Sequence, residues 1–137
     1  MTETIFTKIR LGKIPGEVVY KGDNCFVMLT IEPHNPGHVL VVPNEQIADW
    51  QDLPADTWLE MMKVAQMLGR VIKKIYTPPK VALCAVGFDI PHVHIHVFSL
   101  FEISDIDHTK AKLVSMGVVS AEASKIRSEL NNQKSQS

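Results

Sequence analysis

The feature of this sequence that could carry chemistry is a run of three histidines alternating with apolar residues, His92-Val93-His94-Ile95-His96-Val97. Strict alternation is typical of a β-strand, in which successive side chains point to opposite faces. A strand over His92–Phe98 therefore places three imidazoles on one face of a sheet and buries the aliphatic residues on the other. In a helix the same spacing would separate His94 from the other two.

Three clustered imidazoles fit two kinds of chemistry, and the spacing alone does not choose between them. Histidines on a strand can ligate a metal such as zinc, whereas a neutral imidazole beside a protonated one pairs a nucleophile with an acid. A third interpretation is a solvated polar face, which Thr, Lys or Glu would serve better. Because adjacent imidazoles cannot all be protonated cheaply, we expect at least one to be neutral near pH 7. We also expect an attraction for phosphate that depends on pH near neutrality.

The strands that must position these histidines are predicted from short apolar runs. Val18–Tyr20 and Cys25–Leu29, on either side of a Lys-Gly-Asp-Asn turn, predict a β-hairpin. A third strand is expected over His38–Val42, ending at Pro43, and a fourth over Lys80–Val86. The histidine strand is the fifth.

Helices are predicted where the hydrophobic period changes. Apolar residues recur at steps of three and four from Pro54 to Tyr76, which predicts one long amphipathic helix with a single buried stripe. A short helix is expected over Thr4–Leu11, and Ser120 is predicted to cap a last helix ending near Leu130. These elements predict one α+β domain over residues 1–130, followed by a flexible tail at residues 131–137.

The composition excludes several classes of protein. With 137 residues, 45% of them hydrophobic and 21% charged, the chain suits one domain and is too apolar to be disordered. A formal net charge of −1 gives no basic excess to attract nucleic acid or a membrane surface. No signal peptide or membrane-length apolar run is visible. Cys25 and Cys84, both in apolar runs, are expected to be buried free thiols in a reducing cytoplasm.

The chain resembles the histidine triad (HIT) family. His92-Val-His94-Ile-His96-Val-Phe98 matches the family signature in full. Ile5-Phe6-x-Lys8-Ile9 with Ile14-Pro15 looks like the family's opening, and Pro36-Gly37-His38-Val-Leu-Val-Val-Pro43 looks like its histidine-containing strand. The resemblance implies a HIT-like fold, a five-stranded antiparallel sheet with one long helix and a C-terminal helix. It also implies a homodimer in which two sheets join edge to edge.

The resemblance further implies an activity without a metal or other cofactor. HIT proteins hydrolyse or transfer nucleoside monophosphates attached through the α-phosphate to an amine, a carboxylate, a phosphate or a sugar phosphate. By position, His94 is the nucleophile that forms a covalent nucleotidyl-histidine, and His96 donates the proton to the leaving group. His92 and His38 orient the site. An imidazolium face is expected to neutralise the charge of the phosphate.

Substrate-binding residues are also implied by position, and two of them differ from the nucleotide-binding branch of the family. Thr30 stands where that branch has an Asp that binds the ribose, and a hydroxyl is not a bidentate acceptor. Asp89, in the run Gly87-Phe88-Asp89-Ile90-Pro91, stands near a phosphate-binding Ser; it repels phosphate unless paired, or orients a triad histidine. A bacterial-type subgroup carries an acidic residue there too. The residues expected around the base are Phe6, Ile9, Ile14, Met28, Leu29 and Ile31.

Two other functions stay open at this point. Thr30 and Asp89 suggest a HIT module that binds nucleotide with little turnover, and the three imidazoles suggest a metalloprotein. His34, in a loop bounded by prolines, and His108, in a polar segment, are predicted to be surface residues without a role in the site.

Overall fold

A computed structural model describes residues 2–135 of the chain. Five strands form one antiparallel sheet in the order β1-β2-β3-β5-β4, so that β1 and β4 are its edges. This confirms the predicted α+β class and the five-stranded sheet. The helices and strands are α1 (Ile5–Arg10), β1 (Val18–Lys21), β2 (Cys25–Leu29), β3 (Val39–Pro43), α2 (Ala55–Tyr76), β4 (Lys80–Cys84), β5 (Ile95–Leu100) and α3 (Met116–Ser135). Short 3₁₀ helices occupy Trp50–Asp52, Ile103–Ile106 and His108–Lys110.

The central strands are apolar on both faces because both faces are covered. One face packs against α2 and α3 and forms the larger core, which includes Val27, Val41 and Val97. The opposite face carries the cross-strand partners Leu40 and His96, and there α1 packs against the sheet. The histidine-bearing face is therefore the one that α1 covers.

The long helix forms as predicted and supports the sheet below the histidines. Its buried stripe follows the predicted period of three and four and consists of Thr57, Met61, Val64, Ala65, Leu68, Val71 and Ile72. The helix ends at Tyr76, and the next residue, Thr77, adopts the left-handed conformation with φ of 48°. The prolines that follow cannot continue a helix.

The histidine strand is shorter than predicted. β5 begins at Ile95, so His92 and His94 precede the strand. The first β3–β5 pair joins Val41 to Ile95, and the peptide N–H of Val93 bonds the carbonyl of Ile47 outside the ladder, at 2.8 Å. The predicted burial of Val93, Ile95 and Val97 is nevertheless confirmed. In the same way β4 ends at Cys84, two residues before the predicted end.

The C-terminal helix differs from the prediction at both ends. It starts at Met116 because the hydroxyl of Ser115, and not of Ser120, accepts a bond from the N–H of Val118, at 3.3 Å. It runs to Ser135 and so contains residues 131–135, which we expected to lie in a flexible tail. Residues 136–137 of that expected tail lie outside the described part of the chain.

Both cysteines are free. Cys25 is buried as predicted, but Cys84 is only half-buried because it ends the edge strand β4. Cys84 is the cross-strand partner of His96, so its side chain shares the histidine-bearing face. Within residues 2–135, none of the helices has the length and hydrophobicity to cross a membrane.

Candidate active site

Two cavities meet at His94 and His96. The first, here called the α1 cavity, has a volume of about 450 Å³ and lies between α1, β2 and the start of α3. The second, here called the Phe88 cavity, has a volume of about 440 Å³ and lies between the segment 86–90 and the segment 106–108. Both are lined by Ile90, His94 and His96. The two imidazoles therefore lie between two adjacent binding spaces.

The structure brings seven of the eight predicted substrate-binding residues together. All seven line the α1 cavity: Phe6, Ile9, Ile14, Met28, Leu29, Thr30 and Ile31. Asp89 instead lines the Phe88 cavity, on the other side of the imidazoles. The ring of Phe6 lies against His94, with 4.8 Å between the ring centroids, and so joins the apolar wall to the histidines.

The protonated nitrogen of His94 is fixed by one contact. Its Nδ1 lies 2.9 Å from the carbonyl oxygen of His92. A carbonyl oxygen only accepts, so Nδ1 carries the proton and donates it. In the neutral ring Nε2 then holds a free lone pair, as a nucleophile requires.

The tautomer of His96 is fixed through its contact with His38. The backbone N–H of His34 donates to Nδ1 of His38, at 3.0 Å, so that this nitrogen cannot carry a proton. The proton of His38 is therefore on Nε2 and is donated to Nδ1 of His96, at 2.9 Å. His96 in turn carries its proton on Nε2. The site thus holds one imidazole with a free Nε2 lone pair beside one with an Nε2–H donor.

His38 reaches this position through a tight loop that requires a glycine. Gly37 has a φ of 82°, and a Cβ at this position would clash with the ring of Tyr76 at the end of α2. The conformation is accessible to glycine at little cost and is strained for other residues. Gly37 thus lets the loop pass over α2 and enter β3 with His38 stacked on Phe98, at 4.6 Å between centroids.

The four imidazoles of the site are neutral near pH 7, which corrects the expected imidazolium face. Burial lowers the pKa of His92 and of His94. Burial, with the neighbouring His94 and His34, lowers the pKa of His96 to about 4. Burial, with His96 and His34, lowers the pKa of His38 to about 2. A phosphate is therefore met by neutral imidazoles, and positive charge on these imidazoles in the free site appears only at acidic pH.

Two further histidines lie near the site, and sequence reasoning missed one of them. His34 is half-buried, which contradicts the predicted surface position. Its ring stacks on Phe98, at 4.5 Å between centroids, and its Nδ1–H donates to the carbonyl of Asp105, at 2.7 Å. His108 is exposed as predicted, but it also lines the Phe88 cavity. The centroid of its ring lies 6.0 Å from that of His34. Pro33 and Pro36, which stiffen the loop around His34, were the available signal.

Asp89 acts on the site through its charge. Its side chain is exposed, and its negative charge partly offsets the lowering of the pKa of His94 by burial. Among residues 2–135 there is no group of three or more His, Cys, Asp or Glu side chains that could hold a metal ion. The clustered imidazoles are bonded to one another, to backbone groups and, at His92, to the hydroxyl of Thr4.

The chain belongs to the histidine triad family, because the HIT domain family model matches residues 12–103. It is 32% identical over 102 residues to a HIT-like protein of Methanocaldococcus jannaschii, covering 72% of this chain and 79% of that protein. It is 33% identical over 99 residues to AP-4-A phosphorylase of Mycobacterium tuberculosis, covering 67% of this chain and 51% of the enzyme. It is 26% identical over 96 residues to bis(5'-adenosyl)-triphosphatase of Saccharomyces cerevisiae, covering 66% of this chain and 47% of that enzyme. The chain thus spans about half the length of these two enzymes.

Solved structures share the fold. A Hit-like protein from Bartonella henselae superimposes with a TM-score of 0.83 at 24% identity, covering 93% of this chain and 96% of the other. A zinc-bound histidine triad family protein from Mycobacterium smegmatis superimposes with a TM-score of 0.81 at 22% identity, covering 97% and 96%. The likeness to these structures therefore extends well beyond residues 12–103.

The lowered pKa of His38 predicts that its burial destabilises the protein in acid. The unfolded chain binds a proton at His38 below about pH 6.5, whereas the folded chain does so only near pH 2. The stability of the folded state is therefore fully present above pH 6.5 and falls as the pH drops, by up to about 1.4 kcal/mol per pH unit for a group of this kind.

The variant His38→Gln removes this titration, so its free energy of unfolding should change less between pH 6.5 and 5 than that of the wild type. Urea unfolding at a series of pH values measures both slopes. The comparison uses the slopes, because the substitution also alters stability at every pH. Equal slopes would contradict the lowered pKa.

Proposed function

We propose that this protein cleaves nucleotide conjugates at the α-phosphate, through a covalent nucleotidyl-His94 intermediate. The observation that carries the proposal is the bond between His94 Nδ1–H and the carbonyl of His92, which leaves the Nε2 lone pair free. His94 lines both cavities, so a phosphorus bound beside it has room for a group on either side.

The reaction proceeds in two steps. In the first, His94 Nε2 attacks the α-phosphorus, a P–N bond forms, and the bond from phosphorus to the leaving atom breaks. His96 donates a hydrogen bond from Nε2 to the leaving atom, and solvent supplies the proton with which the leaving group departs. In the second step water attacks the phosphorus and the P–N bond breaks. The nucleoside monophosphate is released, the proton of that water passes to solvent, and Nε2 of His94 is free again. His92 and His38 hold the two reacting imidazoles.

The α1 cavity is the proposed site of the nucleoside. Its wall is mostly apolar, which suits the faces of a base. Thr30, at the end of β2, accepts a bond at Oγ1 from the N–H of Glu32, at 3.1 Å. Its hydroxyl proton is then available to a ribose oxygen, so we propose a single donor contact to the ribose instead of bidentate acceptance by an Asp.

The Phe88 cavity is the proposed site of the leaving group. Phe88 is 92% exposed, and Val86, Ile90 and Ile106 also line this cavity. Its lining, as far as residues 2–135 go, includes no lysine or arginine, and its one carboxylate is Asp89. A chain of phosphates is bound poorly without cations and is repelled by a carboxylate. These features favour a phosphoramidate or an aminoacyl conjugate over a dinucleoside polyphosphate.

Replacing His94 should abolish covalent chemistry. We expect His94→Ala to lower the turnover of an adenosine 5′-phosphoramidate by roughly a thousandfold or more, because the attacking atom is gone. Wild-type protein quenched in alkaline denaturant, in which the P–N bond survives, should carry a nucleotidyl group on His94 by mass spectrometry, and the variant should carry none. The control is Ser128→Ala, an exposed position on α3. A variant that retains turnover would contradict the role of His94, and tight nucleotide binding by an inert wild type would favour the binding-module alternative.

Neutralising Asp89 should shift the preference for the leaving group. For Asp89→Asn we expect the ratio of kcat/KM for a dinucleoside tetraphosphate to that for an amine conjugate to rise about fivefold. One charge pair at about 4 Å in water contributes about 1 kcal/mol, which sets that magnitude. Steady-state assays of AMP release from both substrates give the ratio. A wild type that prefers the tetraphosphate, or a ratio that falls, would contradict the assignment of the Phe88 cavity.

We also propose a homodimer formed through the edge strand β4. Leu83 on this strand is 55% exposed, and pairing with a second copy would satisfy the free edge. Light scattering should therefore give the mass of two chains, and Leu83→Lys should reduce it to one. A wild-type mass of one chain at micromolar concentration would exclude this dimer.

A further inference from the structure

Side chains outside the residues matched by the family model reach the triad. The matched residues are 12–103, whereas α1 and the segment before it lie at residues 2–10. Thr4, the N-cap residue of α1, has its Oγ1 2.6 Å from Nδ1 of His92. This contact joins the start of the chain to the residue whose carbonyl holds the proposed nucleophile.

Gln46 fixes the position of Thr4. The side-chain oxygen of Gln46 accepts from the N–H of Thr4, at 2.7 Å, and from the hydroxyl of Thr7, at 2.6 Å. Its amide nitrogen donates to the carbonyl of Thr2, at 2.9 Å. Three bonds therefore tie one amide side chain to residues 2–7, and the hydroxyl of Thr4 has little freedom to leave His92.

The direction of the bond from Thr4 follows from the other side of the His92 ring. Nε2 of His92 lies 2.7 Å from the carbonyl oxygen of Pro43 and must donate to it. In the neutral ring Nδ1 is then an acceptor, so the hydroxyl of Thr4 is the donor. The oxygen of Thr4 also accepts the N–H of Thr7, at 3.3 Å, which is compatible with this direction. The His92 side chain is fully buried, so no water can replace a lost partner at low cost.

The bond from Thr4 to His92 matters because the sheet does not hold the chain at His92. The β3–β5 ladder begins with Ile95, three residues after His92. Backbone bonds do restrain the segment, from His92 N–H to the carbonyl of Ile90 and from Val93 N–H to that of Ile47. The ring of His92 is bonded at both nitrogens. These two bonds hold the residue and so orient its backbone carbonyl.

We propose that Thr4, supported by Gln46 and Thr7, is a positioning residue that orients His92 and through its carbonyl the nucleophile His94. This rests on the proposed function, in which His94 attacks the α-phosphorus. Thr4 touches no reacting atom. Its loss should therefore slow the formation of nucleotidyl-His94 with little effect on substrate binding.

The test compares Thr4→Val with Thr4→Ser and with Thr2→Val, a matched change on the exposed side chain of the same segment. We expect Thr4→Val to lower the single-turnover rate of nucleotidylation about tenfold, with KM changed less than about twofold, because a small misorientation of an attacking group costs rate more than binding. Thr4→Ser keeps the hydroxyl and the helix cap and should stay within about twofold of the wild type, as should Thr2→Val. Equal rates for Thr4→Val and the wild type, or equal losses in the Val and Ser variants, would overturn the proposal.

A spectroscopic measurement separates this proposal from the proposed function. The ¹⁵N resonance of His92 Nδ1 should be that of a hydrogen-bonded acceptor in the wild type and in Thr4→Ser, and should move toward that of a free pyridine-type nitrogen in Thr4→Val. An unchanged resonance overturns the role of Thr4 even if the enzyme is active. If the resonance changes in Thr4→Val but the wild-type protein modifies no nucleotide conjugate, the proposed function is refuted and the role of Thr4 stands. If Thr4→Val does not fold, Gln46→Ala tests the same anchor without touching the cap, with the same direction expected.

Discussion

The bond from His94 Nδ1–H to the carbonyl of His92 is the interaction on which the site depends. It turns an imidazole that could exist in two neutral forms into one with a free Nε2. The rest of the structure keeps that carbonyl in place. His92 is buried with its ring bonded to Pro43, and the strand that follows is set between β3 and β4. The sheet thus supports His94, the proposed nucleophile, indirectly, from Ile95 onward.

Neutrality is the second constraint on the site. Burial lowers the pKa of His38, His92, His94 and His96, so the imidazoles act by fixed hydrogen bonds and not by net charge. The tautomers of His38 and His96 form a directed chain that starts at the backbone N–H of His34. A site of this kind is organised before a substrate arrives, which is how protein dipoles stabilise charge most effectively.

Local patterns in the sequence predicted most of the fold. Alternation placed Val93, Ile95 and Val97 in the core, and the period of three and four gave the limits of α2 within one residue. The predictions that failed concern features set by contacts between residues distant in sequence. The N-terminal limit of β5 is set by bonds to residues 43 and 47, and the half-buried position of His34 is set by Phe98 and Asp105. The lowered pKa values of the histidines could not be predicted from the sequence either, because they arise from burial that only the assembled fold creates.

The sequence predicted which side chains lie together better than it predicted the protonation of the histidines. The apolar positions chosen around the base do surround one cavity, because β2, α1 and the loop after α1 converge on the histidine-bearing face. Asp89, predicted to lie among the substrate-binding residues, lines the Phe88 cavity, on the other side of His94 from the α1 cavity. This separation divides the space around His94 into a largely apolar side and a side with one carboxylate.

The tautomer of His94 is the most direct test of the proposed mechanism. Long-range ¹H–¹⁵N correlation spectra of ¹⁵N-histidine-labelled protein at pH 7 report which ring nitrogen carries the proton. We predict that Nδ1 of His94 is protonated and that Nε2 gives a pyridine-type resonance. A proton on Nε2, or an equal mixture of the two neutral forms, would contradict it, because the free lone pair would then not face the two cavities in a fixed way.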